Sequence, residues 1–333
     1  MSAEDRTQDP RRRRVIAAAV LSPVLAGAAA PACAARTETT NERRRKPVAP
    51  VPTTLADWTG VAEALGRTGD MKHNLMYHTG LPRRDLAVVS HGVVVKPALA
   101  LGSHVSFVRY ADGGSLLMGD VVVTEGELQR FSDALYEHGI EQTALHKHLL
   151  AQTPAVWWMH VHAHGHDPVA VARGLRAAFD RTGTPPPRPS AQPRRIDLDT
   201  ARIDAVLGVK GTFDDGIYRS TFARREMVTE GDMILPRGLG STTAINFQPL
   251  GGGRAAISGD CAMVAGEVQE VLATLRRAGV ELVELHNHGL RDEPRLFFVH
   301  YWAVGDAVTL ARGLRAAVDA TNVMPLVGAA GAG

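Results

Sequence analysis

Apolar and polar positions alternate along much of residues 75–164, and the same alternation returns downstream. Segments near Leu75–His78, Leu86–Val95, His104–Tyr110 and Ser115–Val123 carry period-two or β-branched patterns and predict strands. Asp112-Gly113-Gly114 predicts a hairpin turn between the last two. A short helix is expected over Leu55–Gly66. A second, Glu125–His138, follows Thr124, with Glu127 completing a capping box, and stops at Gly139. A third starts at Asp167-Pro168, an acidic cap with proline in the first turn, and runs to about Arg181. Between the second and third helices, Glu141–His148 and Ala155–His164 predict two more strands.

This order occurs twice. Leu145-His146-Lys147-His148 recurs as Leu285-His286-Asn287-His288, 140 residues on. Each copy continues with a proline (Pro154, Pro294), an aromatic pair (Trp157-Trp158, Phe297-Phe298) and a histidine (His160, His300). Each closes with nearly the same helix, residues 172–180 and 311–319. Gly119-Asp120 matches Gly259-Asp260, Arg83-Arg84-Asp85 matches Arg224-Arg225-Glu226, and Gly102-Ser103 is aligned with Gly240-Ser241. The expected fold class is α+β, with two tandem homologous repeats, each a mainly antiparallel sheet with helices packed on one face. The repeats are placed at 55–181 and 197–320 and are expected to form an intramolecular pseudo-dimer. Five prolines in the linker, 182–196, exclude helix and central strand there. A flexible tail is expected over 321–333.

The N-terminus changes the picture of where the protein works. Arg11-Arg12-Arg13-Arg14 precedes a mild apolar run to Ala30, then small residues around Cys33. That is the order of an export signal over 1–34, twin-arginine-like, with Cys33 as a candidate lipidation site. Residues 35–54 are polar and proline-containing and are expected to be a flexible tether. The expected location is the outer face of the cytoplasmic membrane or the cell envelope, with the membrane as partner through the lipid anchor. The net charge of +2 over 333 residues, with much of the basic excess in the leader, gives no nucleic-acid footprint. Two cysteines exclude a disulfide framework.

Nine of the fourteen histidines fall in 146–166 and 286–300. Residues two apart on a strand share a face, so His146 and His148 point one way, as do His160, His162, His164 and His166. If the two strands of repeat one are neighbours, up to six imidazoles of that repeat converge. Neutral imidazole suits a divalent transition metal, zinc foremost, with copper, nickel or iron as alternatives. Three or four such ligands with an open position make a catalytic centre, and fewer openings make a structural one. Repeat two offers His286, His288 and His300, with Glu284 on the face of His286 as a fourth ligand or general base. The bland alternative is a hydrogen-bonded histidine network that orders the sheets.

Other residues carry weaker signals. Arg83-Arg84 and Arg224-Arg225 follow short strands and are either anion-binding residues or solvated surface arginines. Gly251-Gly252-Gly253 lacks the context of a phosphate loop and reads as a hairpin turn. Cys261 sits in an apolar strand and is expected to be a buried, inert thiol. Two functions therefore stand open: an exported metal-binding protein, with or without enzymatic activity on an unidentified substrate, and a non-enzymatic envelope lipoprotein that binds a small or anionic ligand and uses its histidines structurally.

Thr143-Ala-Leu-His-Lys-His148 and Val283 to Trp302, with their His-Asn-His, Pro-Arg and final His, resemble the family of unknown function typified by the mycobacterial lipoproteins LppY and LpqO. The resemblance covers roughly residues 55–320. Repeat one departs from the pattern at Lys147 and at Thr153-Pro154-Ala155. The resemblance implies an exported, lipid-anchored protein and brings no activity.

Overall fold

The structure, a computed structural model, describes residues 46–188 and 196–326. The predicted export signal with Cys33, the first part of the tether, the middle of the linker and the end of the tail lie outside the described residues.

Repeat one builds an antiparallel sheet from β1 (Met76–Pro82), β2 (Gly102–Arg109), β3 (Ser115–Thr124), β4 (Glu141–His146) and β5 (Val156–Gly165), with Asp70–Lys72 at one edge. The order across the sheet is edge-β1-β2-β3-β5-β4, so the two histidine strands are neighbours. The helices are α1 (Thr59–Leu65), α2 (Glu125–Glu137) and α3 (Pro168–Phe179). Thr124 and Glu127 form the capping box of α2, and the Asp167 carboxylate accepts the Ala170 N–H at the start of α3. Repeat two repeats the plan with β6 (Ile217–Arg224), β7 (Thr242–Gly251), β8 (Arg254–Val264), β9 (Glu281–His286), β10 (Leu296–Asp306) and helices α4 (Thr200–Leu207), α5 (Val268–Arg277) and α6 (Ala307–Asp319). The chain is thus α+β, two tandem repeats with helices on one face of each sheet.

Alternation along β5 decides what the other face does. Met159, Val161 and Ala163 pack with Phe131, Leu135, Leu175 and Phe179 under the helices. Val156 and Trp158, on the opposite side, join Leu99, Val122 and Leu149, and also Ile217, Ala256 and Trp302 of repeat two. A second shared core joins Met76, Leu116 and Met118 to Val228, Leu235, Ala262 and Phe298. The sheets therefore pack face to face, giving helix, sheet, sheet and helix layers. Trp158 and Trp302 are both fully buried at this seam. Each contributes roughly 4–6 kcal/mol of apolar burial as an upper bound.

Several expectations change. Residues 46–54 are not free tether: the Val48 N–H donates to Asp232 O (2.7 Å) and the Val51 N–H to Arg109 O (2.8 Å). Val323–Pro325 of the expected tail pairs with β6. Thr182 and Gly183 of the linker dock on repeat one, where the Gly183 N–H donates to Glu127 (2.6 Å). Leu86–Val95 is not one strand. It forms a small hairpin, Val89–Ser90 with Val93–Val94, because His91 and Gly92 adopt positive φ. The counterpart of Ser103 is Thr243 rather than Ser241: the Ser103 hydroxyl accepts the Val122 N–H and the Thr243 hydroxyl accepts the Ala262 N–H (2.8 and 2.9 Å).

Candidate metal centre

The inner faces of both sheets carry histidine at the same positions. His160 lies opposite Asp120 in the β3–β5 register, and His300 lies opposite Asp260 in β8–β10. The ends of β4 and β9 bring His146 and His286 to the middle of the seam, where their rings stack at 4.0 Å between centroids. The second histidine of each His-x-His meets the last histidine of the other repeat: His148 lies 3.8 Å from His300, and His160 lies 4.0 Å from His288. His146–His160 and His286–His300 are both 4.7 Å, so the pool is close to two-fold symmetric.

Cross-repeat bonds hold this arrangement. Glu284 accepts the Lys147 N–H (2.7 Å), the Asn287 amide donates to Thr143 O (3.1 Å), and the Thr143 hydroxyl donates to His288 O. One imidazole from each of three positions converges in two overlapping sets, His146–His148–His300 and His146–His160–His286. Within each set the candidate ligand atoms lie within 4.8 Å of one another. His146 belongs to both, so five rings form one continuous donor pool across the repeats, and His288 packs against its edge at His160.

The electrostatics suit a metal. Burial, reinforced by neighbouring histidines, holds His146, His288 and His300 well below the ordinary imidazole value. Burial likewise lowers His148, brings His160 to about 3 and His286 to about 2. All six are neutral near pH 7 and present nitrogen lone pairs. The Nε2 atoms of His160, His286, His288 and His300 are buried with no hydrogen-bond partner among the described residues. Such atoms are costly unless something else satisfies them, and a metal ion does so for several at once. Asp120 and Asp260 stand behind the rings, 3.3 Å from His148 Nε2 and 3.9 Å from His288 Nε2. Burial above all raises both carboxyls, Asp260 to about 7.

The sequence-predicted residues divide sharply. His146, His148, His160, His286, His288 and His300 come together. His162 and His164 do not join either set: His162 faces Glu230 (3.8 Å) and half-exposed His164 lies beside Met233. The expected convergence of six imidazoles within repeat one is therefore corrected to three from each repeat. Glu284 is a clasp between repeats, with its carboxylate on the Lys147 backbone. The arginines divide: Arg83 and Arg224 are buried, whereas Arg84 and Arg225 lie at the surface as solvated arginines. Arg83 is buried between Asp85 (2.8 Å) and Glu127 (2.7 Å), and Arg224 is held the same way by Glu226 and Glu267. Arg84 reaches Asp215 (3.5 Å), and Arg225 donates to Val323 O (3.0 Å). Cys261 is buried under the helices, and burial pushes its thiol pKa up. Asp120, Asp260 and Glu230 were not among the predicted site residues. The duplicated Gly-Asp pair on a neighbouring strand was the available signal for the first two; Glu230 had none.

A sequence model of the family described as Domain of Unknown Function (DUF1259) matches residues 59–181 and 201–320. No curated protein matches the chain. Among solved structures, the double ringed trimeric shell protein MSM0271 from the RMM microcompartment is 16% identical, with 62% of this chain and 82% of that one covered, at a TM-score of 0.17. The trimeric bacterial microcompartment shell protein PduB is 11% identical over 77% and 94%, at 0.18. EtuB from Clostridium kluyveri is 13% identical over 76% and 92%, at 0.17. Likeness at these scores supports no statement about this fold or its use.

Proposed function

The chain belongs to the Domain of Unknown Function (DUF1259) family, and from that premise we propose that it is an exported, membrane-tethered protein that binds a divalent transition metal at the seam between its repeats. The observation that carries this reading is the pool of buried and half-buried histidines at the seam, five of which fall in two metal-capable sets drawn from both repeats and five of which keep a buried nitrogen without a partner among the described residues. Nitrogen donors alone favour zinc, copper, nickel or iron over magnesium or calcium, and zinc is the first choice for a compact three- or four-ligand set. Asp120 and Asp260 would orient the rings as outer partners. A bound ion with an open position would supply Lewis acidity, which is the route by which the protein would be a metal-dependent enzyme. Export and tethering rest on the arginine-led leader and Cys33. The alternative of an anion-binding lipoprotein loses its main support, because all four candidate arginines have internal partners.

Elemental analysis tests the reading on the chain from Lys46 onward, purified without a histidine tag. Near-stoichiometric metal is expected in the parent. It should fall in both His146→Ala/His148→Ala and His286→Ala/His288→Ala, because each set borrows from the other repeat. A metal-free parent that shows no thermal shift with zinc, copper, nickel or iron overturns it.

A further inference from the structure

The two repeats place a small hairpin at each end of the seam, and the two ends differ in chemistry. At one, the hairpin carries Ser90, His91 and Gly92 and meets Trp302 of the other repeat through the His91 ring. The Ser90 hydroxyl donates to Leu150 O (2.7 Å), and the buried Trp302 indole is covered by the His91 ring, 6.4 Å away and nearly parallel. That end is closed by an aromatic plug. At the other end the equivalent positions are Glu230, Asp232 and His162. There the surface opens into a cleft of about 370 Å³ lined by Glu141, His164, Glu230, Asp232 and Arg291.

Glu230 forms the floor of this cleft. It is 1% exposed, and neither carboxylate oxygen accepts a hydrogen bond from a described residue. Its nearest nitrogen neighbours are Arg291 Nε at 3.6 Å and His162 Nδ1 at 3.8 Å. Arg291 is itself taken by Glu141 (2.7 Å). Three carboxylates against one guanidinium leave the cleft net negative. His162, 1% exposed and with both ring nitrogens unpartnered, lies behind Glu230. It is the next residue after His160 on the same strand face, a step of about 7 Å.

We propose that this cleft is the port through which a hydrated divalent transition-metal ion reaches the histidine pool, captured by the Glu230 carboxylate and passed by His162 to His160. The proposal rests on the metal reading above. A focused negative potential raises the local concentration of cations and speeds their capture. A carboxylate with free lone pairs, buried beside an opening, replaces part of the hydration shell. A buried imidazole with free nitrogens supplies the next donor inward. Among the described residues the plugged end has only the part-exposed His91–Glu281 pair (3.7 Å) and no buried, unpartnered carboxylate, so loading is one-sided.

The test is the rate of cobalt(II) uptake by the chelator-stripped full chain, followed by stopped-flow absorbance. Wild type is compared with Glu230→Gln and with Glu281→Gln, which alters the plugged end. Wild type and Glu281→Gln should load alike. Glu230→Gln should load at least tenfold more slowly, yet reach the same final spectrum and stoichiometry. The exposed-side pair Glu141→Gln/Asp232→Asn, which leaves the buried floor intact, should also slow loading, and added salt should slow wild type more than this pair. Equal rates in wild type and Glu230→Gln overturn the port. So does a changed final spectrum in Glu230→Gln, which would make Glu230 a ligand. A wild-type protein that takes up no cobalt defeats the metal reading itself, a result distinct from either.

Discussion

Lowering the pH of the metal-free protein from 7 to 5 should unfold it. The six seam histidines are held far below their ordinary values by burial, His160 to about 3 and His286 to about 2. Their unfolded counterparts titrate near 6.5. For a group with a depressed folded value, the stabilising contribution is complete above the unfolded value. It is lost progressively as pH falls from about 6.5 toward the folded values, because the unfolded chain binds more protons in that window. Asp260, raised to about 7, and Asp120, also raised, act with the opposite sign and hold protons in the folded state. Six protons taken up on unfolding against up to two released leave four to six. Each is worth ~1.4 kcal/mol per pH unit, so the slope is at most roughly 6–8 kcal/mol per unit. A typical domain has a total stability of about 5–15 kcal/mol. Urea unfolding at pH 8, 7, 6 and 5.5, with chelator present, measures the slope directly. Stability that changes by less than about 1.4 kcal/mol between pH 6.5 and 5.5 would mean that no more than one net proton is involved, and would refute the picture of a neutral buried pool.

Three further outcomes follow from named contacts. Arg83→Ala strands Glu127 and Asp85 beside a buried cavity and should cost about 3–5 kcal/mol in denaturant unfolding, far more than a surface arginine would. Glu284→Gln should leave metal content intact while lowering stability by ~1 kcal/mol, because it weakens the charge-assisted bond to the Lys147 N–H; loss of the metal instead would restore Glu284 as a ligand. Asp120→Asn should weaken metal affinity by about 10–100-fold in a competition titration with little change in the fold, and an unchanged affinity would remove Asp120 from the outer shell.

The duplication was legible because whole motifs recur, and the helix starts and strand faces because each is local, whereas the pairing of the two histidine strands stood only as a condition. Thr124 with Glu127, Asp167 with Pro168, and the two-residue period of His160, His162 and His164 all act within a few positions. Period two says which side chains share a face, but not what that face meets. That is why His162 and His164 were grouped with His160. The partners of His160 turned out to be His286 and His288, more than 120 residues away. The arginines show the same limit. Asp85 is two residues from Arg83, but Glu127, which completes its burial, is contributed by a helix 44 residues on. Glu230 sits in a two-residue strand with no repeat counterpart, since Ser90 takes its place, and nothing local marks it.

The seam also bears on ancestry. Each histidine set needs rings from both repeats, so a single ancestral copy could have made the pool only by pairing with a second copy of itself. In such a homodimer every substitution appears twice, and its two ends must stay identical. Joining the copies in one chain lifts that constraint. Trp302 could then close one end while His162 kept the other polar, a division of labour that an exact two-fold assembly cannot encode.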